Sequence, residues 1–162
     1  MANLARIYAS QINFIEAEKL EIQALDMRKK QLGVEHLNTL ISMSNLASTY
    51  SSQGKWNEVE QLEVQVLKMN KKLLGVEHPN TLMSMANLAT TYMKQRNLKK
   101  AEQLEVQVLD MSKKLLGTEH PSTLISMANL ASIYSSQGRQ NEAEQLKLQV
   151  LDKCKTSLGT EH

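Results

Sequence analysis

Between residues 79 and 120 the apolar side chains Leu82, Met85, Leu88, Ala89 and Tyr92 fall at helical spacing and lay one stripe along the side of a helix. After Gln95-Arg96-Asn97 a second series follows, Ala101, Leu104, Val108, Met111 and Leu115, with Val106, Leu109 and Leu116 widening its face. The spacing predicts two helices of about 16 and 18 residues and no strand, the second helix buried on a broad face. Punctuation agrees. Pro79 and Pro121 stand where a first helical turn needs no N–H, and Gly54 and Gly138 relax the turn between helices. Gly33, Gly75, Gly117 and Gly159 fall where the second helix stops. Glu58, Glu60, Glu142 and Glu144 occupy early turns of that helix and Lys71-Lys72 and Lys113-Lys114 its last turns, as the helix dipole favours.

The same pattern returns along the whole chain. Leu32-Gly33-Val34-Glu35-His36, Leu74-Gly75-Val76-Glu77-His78, Leu116-Gly117-Thr118-Glu119-His120 and Leu158-Gly159-Thr160-Glu161-His162 recur at a constant 42-residue step. Residues 1–36 form a partial copy, and 37–78, 79–120 and 121–162 form full ones, so the chain reads as one array and as an excerpt of a longer one. Met1 aligns with Met43, Met85 and Met127, which places the start inside a first helix at Asn3-Leu4-Ala5. Units of this size cannot each bury a hydrophobic face alone and stack on their neighbours. The expected fold is therefore all-α: a right-handed α-solenoid of stacked antiparallel helix pairs, first helices on the concave side.

Composition narrows the function classes. With 22% charged residues and a net charge of +2, Lys and Glu interspersed, nothing recommends nucleic acid as a partner. The sequence holds no apolar run of membrane-spanning length and no signal-peptide pattern, so the reading is a cytoplasmic protein with no membrane partner. The single cysteine, Cys154, excludes an intrachain disulfide; its alignment with Arg28, Asn70 and Ser112 predicts an exposed helix position.

The run Asn45-Leu46-Ala47, Tyr50, Gln53-Gly54, Trp56, Glu58, Glu60 and Leu62, followed by Leu74-Gly75, Glu77-His78-Pro79 and Thr81-Leu82, resembles the 42-residue tetratricopeptide repeat of kinesin light chains. It also resembles the repeats arrayed in fungal NOD-like receptor proteins. The resemblance covers essentially all of the chain. It implies a protein–protein interaction scaffold whose first helices present a groove to an extended or helical peptide. In such repeats the Asn before the Leu-Ala pair points into the superhelix, here Asn3, Asn45, Asn87 and Asn129. An Asn amide offers a donor and an acceptor together and so matches a peptide unit without reading its side chain. The alternative for this row is a bond to the neighbouring repeat that fixes superhelical pitch, and both roles are compatible. Arg6, Ser48, Thr90 and Ser132 follow one turn later, then Met93-Lys94, with Ile41, Met83 and Ile125 one turn earlier. This lining is small and mostly neutral, which predicts a neutral or weakly polar ligand and disfavours acidic cargo held in the groove.

Two departures carry information. Gln140 stands where Phe14, Trp56 and Leu98 supply a large apolar group, and the third copy alone carries Lys94, Arg96, Lys99 and Lys100 around its turn. Catalysis finds no support in the residues. The four histidines are one position in four copies, about 10 Å apart by helix-packing distance. Zinc ligands must approach to about 2.0–2.1 Å of the metal, so these histidines read as capping residues and no metal or cofactor is expected. No nucleophile triad, phosphate loop or dinucleotide fingerprint occurs. The expectation is a non-enzymatic binding module; the alternative is a spacer that associates head to tail as a homo-oligomer, because the last helix keeps Ala143, Leu146, Val150 and Leu158 without a following helix.

Overall fold

The computed structural model describes the backbone of residues 2–159 and the side chains of residues 15–155. Among these residues the chain forms seven helices and no strand. They belong to two compact units, Met1–Leu73 and Leu74–His162.

The first unit contains α1 (Ala2–Leu32), α2 (Leu37–Ser52) and nearly all of α3 (Trp56–Leu74). Leu25 of α1, Leu40, Met43 and Leu46 of α2 and Val66 of α3 form its core, with Tyr50, Leu62 and Met69 packed against them. The second unit contains α4 (Pro79–Lys94), α5 (Leu98–Leu116), α6 (Pro121–Ser136) and α7 (Gln140–Gly159). Here α4 packs on α5, α5 on α6 and α6 on α7. Leu109, Met127 and Leu130 are buried between the last three helices, with Val106, Leu124, Tyr134, Leu146 and Val150 around them.

The stripe read from the third copy is the buried face of α4: Leu82, Met85, Leu88, Ala89 and Tyr92 are all buried. Helices α2, α4 and α6 each open on a histidine. The Nδ1 atoms of His36, His78 and His120 accept the backbone N–H of Asn38, Asn80 and Ser122 at 3.2, 3.1 and 3.1 Å, one of the donors that a helix start leaves unpaired. Three residues after each histidine a buried threonine closes the joint: the hydroxyls of Thr39, Thr81 and Thr123 donate to the carbonyls of Gly33, Gly75 and Gly117 at 2.8, 2.7 and 2.8 Å. The Gly-x-Glu-His-x-x-Thr run is thus a hydrogen-bonded hinge block that fixes where each first helix starts. The reading of the histidines as capping residues agrees with this geometry.

Three expectations fail. The repeat predicts a turn at residues 11–13, yet α1 runs unbroken for 31 residues. At the corresponding turns Gly54, Arg96 and Gly138 take φ values of +73°, +60° and +81°. Ile12 occupies that register. Glycine, which enters the left-handed region freely, is absent from this register of α1, and the helix continues. Second, Leu115 and Leu116 were expected on the buried face of α5 but are exposed, because they line an open cleft rather than the core. Third, the Cys154 register is not an exposed one: Asn70 and Ser112 are buried and Cys154 is half-buried. At the same register Arg28 donates to the Ser42 hydroxyl of α2.

Candidate functional site

A cleft of about 650 Å³ opens in the second unit. Met83, Asn87 and Thr90 of α4 line one wall and Ile125, Ser126 and Asn129 of α6 the other, while Val108, Ser112 and Leu115 of α5 form the floor. The walls follow from helical spacing. Met83, Asn87 and Thr90 are four and three residues apart and share one face of α4, opposite the buried stripe. Met83 and Ile125 are equivalent residues of consecutive copies and are 60% and 61% exposed, so two large apolar side chains stand in solvent at matching heights. Asn87 and Asn129 repeat the arrangement one turn later. Among the described lining residues Glu77 alone is charged, and its Oε1 accepts from Lys114 Nζ at 2.6 Å.

Of the residues predicted for a groove, Asn87, Thr90 and Asn129 line this cleft. Met93 is half-buried and Lys94 exposed at the end of α4; Ser132 is exposed on α6; neither these nor Met93 belongs to the lining. Asn45 and Ser48 are exposed on α2 of the first unit. Asn3 and Arg6 lie outside the residues whose side chains are described. The leucines at the end of α5, read from sequence as core, are floor and rim instead.

Sequence reasoning also missed Glu105. Its side chain is 1% exposed, beneath the cleft, where Asn129 Nδ2 donates to its Oε1 at 3.4 Å and the Ser126 hydroxyl also bonds it. Burial pushes its carboxyl above the usual carboxylate range, against those two donors. The signal was present: Glu105 falls four residues after Ala101 and three before Val108, within the apolar stripe of α5. Asn129 therefore lines the cleft and bonds α5 of the preceding helix pair, the second of the two roles considered for the Asn row.

Turns between paired helices are tied to the preceding copy by a repeated polar clamp. In the first unit Glu18 accepts from Lys55 Nζ at 2.8 Å and Gln53 Nε2 at 3.0 Å. In the second, Glu102 accepts from Gln137 Nε2 at 2.8 Å and Arg139 at 2.7 Å. The Lys55 and Gln53 bonds hold the Glu18 carboxyl below its ordinary range, and Gln137 and Arg139 do the same for Glu102. Each clamp cation also covers a tyrosine ring: Lys55 over Tyr50 at 5.1 Å and Arg139 over Tyr134 at 3.8 Å. Among the described residues no three His, Cys, Asp or Glu side chains are grouped as metal ligands, and no helix is long and apolar enough to cross a membrane.

A tetratricopeptide repeat family model matches residues 1–72 and 106–156, and a second one matches residues 81–122. The chain belongs to the tetratricopeptide repeat family. Among solved structures it is similar to a protein of Podosopora anserina described as a kinesin light chain with nearly identical TPR-like repeats. One crystal form, a single-substitution variant, is 35% identical, with a TM-score of 0.83 over 96% of this chain and 73% of that one. The parent form gives 34% identity and a TM-score of 0.82 over 95% and 73% of the two chains. BtubC (BKLC) from P. vanneervenii shares the fold, with a TM-score of 0.82 at 19% identity over 96% of this chain and 62% of that one. Among curated proteins none matches. The all-helical architecture is that of a TPR solenoid, and repeats of this class mediate protein–protein interaction.

Proposed function

We propose that this TPR array is a non-enzymatic recognition module whose second unit binds a neutral extended or helical segment of a partner protein in the cleft between α4 and α6. The observation that carries the reading is the pairing of side chains on both walls, exposed Met83 with exposed Ile125 and exposed Asn87 with half-buried Asn129, in a cleft nearly free of charge. Apolar anchors contribute affinity, and the amides bond the ligand's backbone whatever its sequence. The parent protein is proposed to be a larger cytoplasmic scaffold or receptor, of the type exemplified by fungal NOD-like proteins, with neither nucleic acid nor membrane as its partner.

The test is calorimetry with peptides selected from a neutral, displayed 12-residue library of about 10⁹ members. Replacing Asn87 and Asn129 together by Ala weakens binding by about 1–3 kcal/mol while the circular dichroism spectrum is retained. Undiminished affinity in the double variant places the ligand elsewhere and overturns the reading.

A second reading, head-to-tail self-association, draws on α7, though not on the residues expected from the sequence: Ala143 is buried and Leu146 and Val150 pack on the α5–α6 core, while the Leu158 side chain lies outside the described residues. Leu109 is 4% exposed beneath α6, whereas its counterpart Leu151 is 51% exposed, and Leu148 beside it 65%. A face covered in α5 is thus open in α7. If it joins chains, sedimentation velocity shows mass rising with concentration and Leu148→Ser with Leu151→Ser abolishes the rise; a monomer at all concentrations excludes it.

A further inference from the structure

The second helix of the repeat occurs in α1, α3, α5 and α7, so what covers each can be compared at matching positions. In α3, Val66 packs with Leu40, Met43 and Leu46 of α2, and Leu62 and Met69 lie against the same core. In α7, Leu146 and Val150 lie against the core that α6 supplies. The α1 residues at this register are Leu20, Ala24 and Met27. Leu20 and Met27 are 60% and 59% exposed. Ala17 is half-buried, whereas Val59, Ala101 and Ala143 at its register are buried. Elsewhere α1 is covered as the repeat requires, since Leu25 is buried against α2. One side of α1 is therefore open where the other copies cover it. The backbone supplies the reason: α3, α5 and α7 each follow a separate first helix, while α1 runs on without a turn.

The open side is complementary to itself. Ala17, Leu20, Ala24 and Met27 step three, four and three residues, the spacing of a helix-pairing seam, and alternate small with large. Ala24 completes that alternation where the other copies have Val66, Val108 and Val150. When two such helices run antiparallel about a midpoint at residue 22, Leu20 of each faces Ala24 of the other, and Met27 faces Ala17. Every large side chain then meets a small one, as close packing requires. A parallel pair would set Leu on Leu and leave Ala facing Ala. Charge agrees with the antiparallel choice. Glu16, Gln23 and Lys30 follow one flank of the seam at seven-residue steps, and all are exposed. The antiparallel pairing brings Glu16 of each chain beside Lys30 of the other and sets the two Gln23 residues next to the axis.

We propose that this side of α1 is the contact of a twofold dimer, in which α1 of a second copy lies antiparallel along the seam of residues 17–27. The second copy takes the place on α1 that α2 takes on α3. A twofold contact closes on itself, so it gives a dimer and no fibre. It uses neither the cleft nor the open face of α7.

Sedimentation velocity of the whole chain tests it. The natural protein sediments as a dimer at about 100 µM and dissociates on dilution. Leu20→Ser with Met27→Ser raises the dissociation constant at least about tenfold and leaves the circular dichroism spectrum unchanged, because both side chains are already exposed within one chain. Glu16→Lys raises it about threefold, and Glu16→Lys with Lys30→Glu restores it, the small size of the effect being that of an exposed ion pair. Leu148→Ser with Leu151→Ser leaves it unchanged, which separates this contact from joining through α7. Orientation is read from one spin label per chain in the Cys154→Ser protein. With about 1.5 Å rise per residue and helix axes about 10 Å apart, labels at Gln23→Cys lie about 10–20 Å from each other and labels at Leu32→Cys about 30–40 Å. A monomer at about 100 µM, a dimer that survives the two serine substitutions, or equal separations at the two label positions overturns the proposal.

Discussion

Glu102 and Glu105 are one helical turn apart on α5, yet their surroundings move their carboxyls in opposite directions. Gln137 and Arg139 bond the Glu102 carboxylate and lower its pKa, so this clamp contributes fully above the ordinary value of about 4.5 and is lost as pH falls through the lowered folded value. Glu105 is raised by burial; the stability it confers when protonated is complete below about 4.5 and is lost as pH rises through its folded value. The two amide substitutions therefore have opposite signs. At pH 7 Glu102→Gln costs about 1 kcal/mol, since it removes a charged bond to Arg139. Glu105→Gln stabilises by about 0.5–1 kcal/mol, since it removes a buried charge and keeps an acceptor for Ser126 and Asn129. Both differences shrink toward pH 4. Urea unfolding midpoints across this range check the pair, and effects of the same sign at neutral pH would contradict the electrostatic assignment.

At the scale of the helix, the left-handed residue of the turn decides whether one element or two forms. Gly54, Gly138 and even Arg96 tolerate positive φ; Ile12 does not, and α1 absorbs what the repeat would divide. Replacing Ile12 by Gly removes the steric bar and lowers helix propensity by about 1 kcal/mol at one position. In the variant the Cα chemical shifts of residues 11–13 leave the helical range; in the natural chain they stay within it. Helical shifts retained in the variant would show that side-chain packing, not the backbone of Ile12, holds α1 continuous. The same example marks the limit of what the sequence discloses. Helices α2 to α7, their buried stripes and the histidine starts are legible because each rests on local spacing repeated in phase. The burial of Glu105 and the exposure of Leu115 and Leu116 are less so, because they depend on where α6 covers α5 and where the cleft opens, which no local spacing encodes. On the cleft walls, Asn87, Thr90 and Asn129 followed from the resemblance to tetratricopeptide repeats rather than from spacing; the floor, Val108, Ser112 and Leu115, was hidden within the broad apolar side of α5.

For the molecule as a whole, repetition governs how stability is distributed. When each helix pair rests chiefly on its neighbours in chain order, free energy is a sum of local terms and interfaces between adjacent elements. In the second unit this order is α4 on α5, α5 on α6 and α6 on α7, with Met127 at the centre of the α5–α6–α7 core and 1% exposed. Met127→Ala leaves a cavity there and costs about 2–5 kcal/mol, because close-packed surroundings collapse only in part. A globule with one indivisible core spreads that loss evenly. A stack confines it: amide exchange accelerates most in α6 and α7, less in α5 and least in α4, whose own core residue Met85 is untouched. Native-state hydrogen exchange of the variant reads this gradient directly. Equal acceleration from α4 through α7 would mean that the second unit unfolds as a single body. The cleft between α4 and α6 could then not yield locally to admit a ligand, and any adjustment on binding would have to come from side chains such as Met83 and Ile125.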